Sequence, residues 1–179
     1  MKGGSNKNKT GLFVLFPVGK AERILVNQPF GIYETKRTDQ VSCDFIEAEG
    51  VRFGLAVIHH SCPSWRFIGD NLWMRLAEAD SPSGNYRYSI YSHTGDIHHG
   101  EVFNVAQNIN THFSTCSGSV PVALPDYRPE PMLNIDQPNI VLSALYTEGE
   151  SIVARFYEIA GRKTPVNISS PLFEGMKCK

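Results

Sequence analysis

Residues 139–161 read NIVLSALYTEGESIVARFYEIAG, two apolar runs on either side of a short polar break, and this stretch decides the fold class. Residues 140–146 and 152–157 are rich in β-branched, leucyl and aromatic side chains, which suit a pleated, half-buried surface. Between them, Thr147-Glu148-Gly149-Glu150 supplies turn chemistry, with Gly149 free to take a positive φ. The pattern predicts a β-hairpin. In its second arm, Ile152, Ala154 and Phe156 project to one side and Val153, Arg155 and Tyr157 to the other, the period-two alternation of a sheet with one buried and one mixed face.

Working outward from the hairpin, the chain repeats the same grammar. Short apolar or aromatic runs at 12–16, 24–26, 41–46, 53–59, 71–76 and 86–92 are separated by Gly, Pro, Asn and Asp. Strands of this length and spacing predict an all-β fold, a two-layer antiparallel β-sandwich with at most one or two short helices. The best helix candidate is 99–108, where Val102, Phe103, Val105 and Ala106 sustain a helical period for about two turns. Five prolines in 117–139 argue against a central strand and for a long connection or edge segment. The polar, basic residues 1–10 lack the apolar content to order themselves, so they are expected to form a disordered tail before a single domain spanning 11–179.

Composition removes several function classes. At 179 residues and 41% hydrophobic content, the chain can bury a core without metal or disulfide staples. With 17 Lys plus Arg against 18 Asp plus Glu and no basic run interleaved with aromatics, neither nucleic acid nor a membrane surface is expected as a partner. No apolar run reaches the ~20 residues of a membrane span, and the N-terminus lacks the apolar core of a signal peptide. A soluble, cytoplasmic chain is the expectation. Cys43, Cys62, Cys116 and Cys178 form no C-x-x-C pair, so free thiols are expected.

The chemistry-bearing residues form no familiar machine. His59-His60 close one predicted strand, and His93, Asp96, His98 and His99 follow another, but the spacing matches no metal-ligand signature. There is no G-x-S-x-G elbow and no glycine-rich phosphate loop. Glu47 and Glu49, Glu78 and Asp80, and Glu148 and Glu150 each lie two apart and share a strand face, as solvated sheets often allow. Trp65, Trp73, Tyr86, Tyr88 and Tyr91 are candidates for a cross-strand ladder or, less commonly, a sugar-stacking platform.

Taken in order, Pro29-Phe30-Gly31, RFGLAVIHHS (52–61), DNLWMRLAEADSP (70–82), YRYSIYSHTGD (86–96) and the hairpin followed by GRKTPVNI resemble the C-terminal β-sandwich region of family 38 glycoside hydrolases, the class II α-mannosidases. The resemblance runs from about Phe16 to Ile168. It implies that catalysis, by a zinc ion held by His and Asp residues and an Asp nucleophile, lies in an N-terminal domain outside these residues. By the same resemblance this chain carries no catalytic residue, metal or cofactor of its own. Its implied partners are that catalytic domain and mannose-containing glycans, with His59, His60, Arg75 and Asp80 as cleft-lining or sugar-contacting residues. Two departures bear on that role: Asp80 stands where the family commonly places Arg before Ser-Pro, and His59-His60 where many members carry Asn-Asp. The resemblance also leads one to expect further strands past Lys179. The alternative expectation is a stand-alone carbohydrate-binding or protein-interaction module derived from such an enzyme.

Overall fold

The computed structural model describes residues 11–78, 84–111 and 131–171. The expected tail 1–10, Asp80, Cys116, Cys178 and most of the proline-rich segment therefore lie outside the described residues. The chain divides into two compact units, Met1–Asn110 and Thr111–Lys179.

In the first unit the strands are β1 (Gly11–Pro17), β2 (Arg23–Gln28), β3 (Gly31–Glu34), β4 (Asp39–Val41), β5 (Phe45–Glu49), β6 (Phe53–His59), β7 (Ser64–Ile68), β8 (Asn71–Glu78) and β9 (Tyr88–Thr94), followed by the helix α1 (Val102–Asn110). They build two antiparallel sheets, one ordered β1-β8-β7-β4 and the other β3-β2-β5-β6-β9. The sheets face each other across a core that includes Phe16, Val26, Ile46, Val57, Trp65 and Met74. Alternation along β5 sends Ile46 and Ala48 into that core and Phe45 to the opposite face, where Phe45, Ala56 and Ile58 meet Val102 and Ala106 of α1. The fold is an all-β sandwich with one short helix laid on the outside of its larger sheet.

Several elements differ in extent from the sequence reading, and two of the differences shape the site. The run 41–46 is not one strand: Val41 ends β4 in the first sheet and Phe45 begins β5 in the second. Polar side chains make the crossing. Asn27 Oδ1 accepts the amides of Asp44 and Phe45, each at 2.8 Å, and Asn27 Nδ2 donates to Asp44 Oδ2 at 3.0 Å. The helix starts at Val102 rather than His99 because Glu101 sits at φ 50°, outside helical space. Its last turn is tied back to the crossing by Gln107 Nε2 and Asn110 Nδ2, which donate to the two oxygens of Asp44 at 3.2 and 3.0 Å.

The second unit contains β10 (Asn134–Ile135), β11 (Ile140–Glu148), β12 (Ser151–Glu158) and β13 (Ile168–Ser169). β11 and β12 form the hairpin expected from the sequence, paired from Ile140–Glu158 to Glu148–Ser151 around Gly149-Glu150. Gly149 has φ 61° while Glu150 has a negative φ, the II′ pattern in which glycine leads. Ser143 is an extra residue in the ladder between Leu142 and Ala144, and its hydroxyl donates to the Arg155 carbonyl at 3.0 Å. The expected fully buried face is absent: every residue of β12 is half-buried or exposed. Among the described residues no helix is long and apolar enough to cross a membrane.

Candidate functional site

His59 ends β6 and is only 2% exposed. The Cys62 amide donates to its Nδ1 at 3.2 Å, so the ring carries its proton on Nε2 and donates it to Ser42 Oγ at 2.9 Å. Trp65 Nε1 donates to the same oxygen at 2.7 Å, and the two rings lie 5.5 Å apart. Ser42 and His59 therefore form a clasp between the sheets, not a nucleophile and its base, because general-base action requires a ring lone pair facing the hydroxyl. Burial pulls the His59 pKa down to about 4, against a partial opposing pull from Asp44, so the ring is neutral at physiological pH. With its nitrogens committed inside the fold, His59 has no polar atom to offer a sugar.

His60 is half-exposed beside Arg87, whose guanidinium donates to its Nδ1 at 3.3 Å. Arg75 lies on the outer face of the four-stranded sheet. There Leu15, Trp73, Arg66 and Asp39 fall in one row across all four strands, and Phe13 pairs with Arg75 in the next. Phe13 and Trp73 meet edge to face at 6.3 Å, the Arg75 guanidinium stands 5.8 Å over the Phe13 ring, and Arg66 pairs with Asp39 at 2.7 Å. None of His59, His60 or Arg75 lines the groove of about 440 Å³ between Val18, Lys20, Ala48, Val51, Arg52 and Phe53. Asp80 lies outside the described residues.

The other histidines do not converge. Asp96 Oδ1 accepts the amides of His98 and His99 at 3.0 and 2.8 Å, capping a turn, while His93, within β9, is bonded to a different partner. Its Nε2 is 3.0 Å from Oε1 of Glu47 on β5, and both side chains are buried. This pair escaped sequence reasoning. Glu47 and Glu49 stand out only as a same-face carboxylate pair, and nothing local announces a histidine from 46 residues away. Among the described residues no group of three or more His, Cys, Asp or Glu side chains is placed to hold a metal ion.

No protein-family model matches the sequence. No curated protein matches it either. Two solved structures from Enterococcus faecalis match in fold. A glycosyl hydrolase family 38 protein superposes with a TM-score of 0.69 at 13% identity, over 88% of this chain and 22% of its own. An α-mannosidase from strain V583 superposes at 0.70 and 12% identity, over 88% of this chain and 21% of its own. The chain spans about a fifth of the length of these structures, and over that span it has the fold of one region of a family 38 α-mannosidase.

Proposed function

We propose that this chain is a non-catalytic β-sandwich region of a zinc-dependent retaining α-mannosidase, a scaffold on which a separate catalytic domain is held while it cleaves α-mannosides. The observation that carries this reading is the match in fold over 88% of the chain to two family 38 structures at TM-scores near 0.7. The donor set of the described residues does not fit zinc, since no three potential ligands meet, and the buried Ser42–His59 contact has its proton on the wrong nitrogen for nucleophilic catalysis. In this reading His60, Arg75 and Asp80 are the residues through which the region would touch the cleft or the glycan. The isolated chain, given an aryl α-mannoside and zinc, is expected to show no turnover; hydrolysis above background overturns the assignment of chemistry to another domain. The genomic sequence flanking this segment is expected to encode a domain rich in His and Asp ligands.

A second reading, a carbohydrate-binding module, is favoured by one observation: Phe13, Trp73, Arg75 and Arg66 share an outward sheet face where an aromatic edge and two guanidinium groups lie side by side. Titration with mannose oligosaccharides should then shift tryptophan fluorescence in the native chain and not in Trp73→Ala. Unchanged fluorescence and amide shifts in the native chain rule this reading out.

A further inference from the structure

We propose that the buried Glu47–His93 pair is a proton-operated latch, which holds the turn 95–101 and the start of α1 against the five-stranded sheet while one proton is shared between the two side chains and loosens that hold when the proton leaves. The hydrogen bonds set the proton count. His93 Nδ1 lies 3.3 Å from the Thr94 carbonyl oxygen, which can only accept, so Nδ1 carries a hydrogen. Nε2 then presents either a lone pair, which requires a protonated Glu47, or an N–H, which requires the carboxylate. Both arrangements hold one proton and are neutral as a pair. Removing it leaves a carboxylate facing a lone pair at 3.0 Å inside the protein, with the Glu49 carboxyl two residues along the same strand. Glu47 is 0% exposed, and its second oxygen, Oε2, is buried with no hydrogen-bond partner, which leaves the Arg23 guanidinium, already bonded to Glu49, as the cation whose field opposes that charge.

The turn is what closes over the pair. A Cβ on Gly100 would run into the His93 ring, and one on Gly54, from the neighbouring strand, would strike both Glu47 Oε1 and His93 Nε2, so the pair fits only because two backbone segments without side chains enclose it. The Tyr91 ring stacks on His93 at 5.8 Å and its hydroxyl donates to the Gly100 carbonyl at 3.0 Å. Ile97, buried, donates its amide to Glu49 Oε2 at 3.2 Å, and Arg23 from β2 holds the other Glu49 oxygen. Glu101, at φ 50°, stores backbone strain at the junction with α1, which the closed state must hold in place. The charged groups around the pair are thus Glu49 on the same strand as Glu47, Arg23 on the neighbouring β2, and Asp96, His98, His99 and Glu101 on the turn, with the Asp96 carboxylate committed to the amides of His98 and His99.

Burial pushes the Glu47 pKa from 4.5 up to about 7, opposed by the charge of His93 and its hydrogen bond and reinforced by Glu49. The sign follows. An opened turn lets Glu47 ionise near 4.5 while the closed one keeps the proton to about 7, so the advantage that Glu47 gives closure is complete below 4.5 and is lost as pH rises through 7.

The test compares the native chain with Glu47→Gln, whose side chain keeps a donor for Nε2 and does not ionise, by amide hydrogen exchange at Ile97, Val102 and Ala106, corrected for intrinsic exchange. The ratio of native to variant protection is expected to fall as pH rises from 4.5 through about 7, at up to one proton's slope, and then level, with Leu72 and Met74 in the other sheet unaffected. A flat ratio, or an equal fall at Leu72 and Met74, overturns the latch. Should the variant not fold, NMR of the native chain decides: the His93 ring nitrogens and the amides of 95–101 must move through one common pH step, and ring shifts that leave the turn amides in place overturn it.

Discussion

Acidification should unfold this protein through His59. The ring sits in a niche between the sheets where the Cys62 amide already uses Nδ1, so a second proton there meets a donor instead of an acceptor, in a residue only 2% exposed to solvent. Its pKa falls from 6.5 to about 4 on folding, a drop of about 2.5 units, or about 3 kcal/mol at about 1.4 kcal/mol per unit. A depressed pKa contributes stability above the unfolded value and loses it as pH falls. That loss should run from 6.5 down to about 4, at up to one proton's slope. Urea unfolding at half-unit steps across this range, in the native chain and in His59→Gln, isolates the effect from the carboxylates, because glutamine keeps a donor for Ser42 and has nothing to titrate. The stability difference between the two should shrink by about 3 kcal/mol from neutral to acid pH, an order-of-magnitude figure. Parallel pH profiles, or a His59 ring that titrates near 6.5 by NMR, would refute the argument that burial governs this residue.

Two further outcomes test the fold itself. Asp44→Ala removes the acceptor for Asn27, Gln107 and Asn110 and should cost about 2 kcal/mol in urea denaturation, with loss of helical circular dichroism, since hydrogen bonds to a charged group are worth more than neutral ones; a change below about 0.5 kcal/mol would mean α1 is held by its apolar face alone. Gly149→Ala meets no atom within 4 Å yet sits at φ 61°, so its cost, about 1 kcal/mol by thermal melting, is purely conformational, and an unchanged melting temperature would mean the hairpin turn relaxes to another type.

The proposed scaffold role and the latch are separable. An aryl α-mannoside assay reports on the first, and exchange in the 95–101 turn on the second. Neither result bears on the other, because the pair lies inside the five-stranded sheet and its helix, with no contact to His60 or to the Phe13–Trp73–Arg75 face among the described hydrogen bonds and ring contacts.

The sequence by itself determined the elements whose signal is local. A short apolar run set off by turn residues placed β6 at 53–59 to the residue, and the apolar arms with Gly149 between them placed the hairpin, because run composition and a turn's positive φ are properties of neighbouring residues. The same reasoning missed β3 and β7, whose GIYE and SWRFI runs are only four and five residues long with two or three apolar residues each, and fused β4 with β5. That break is made by Asn27, a residue seventeen positions away from Asp44. The site residues divide the same way. A histidine at a strand end was legible, but whether it faces a ligand, as a surface ring would, or a serine and a tryptophan in the core, as His59 does, was settled only when two sheets closed on it. Glu47 and His93 are the limiting case: apart in the chain, each is an ordinary polar residue, and only the packing of β5, β6 and β9 takes both out of water and makes one proton matter to them.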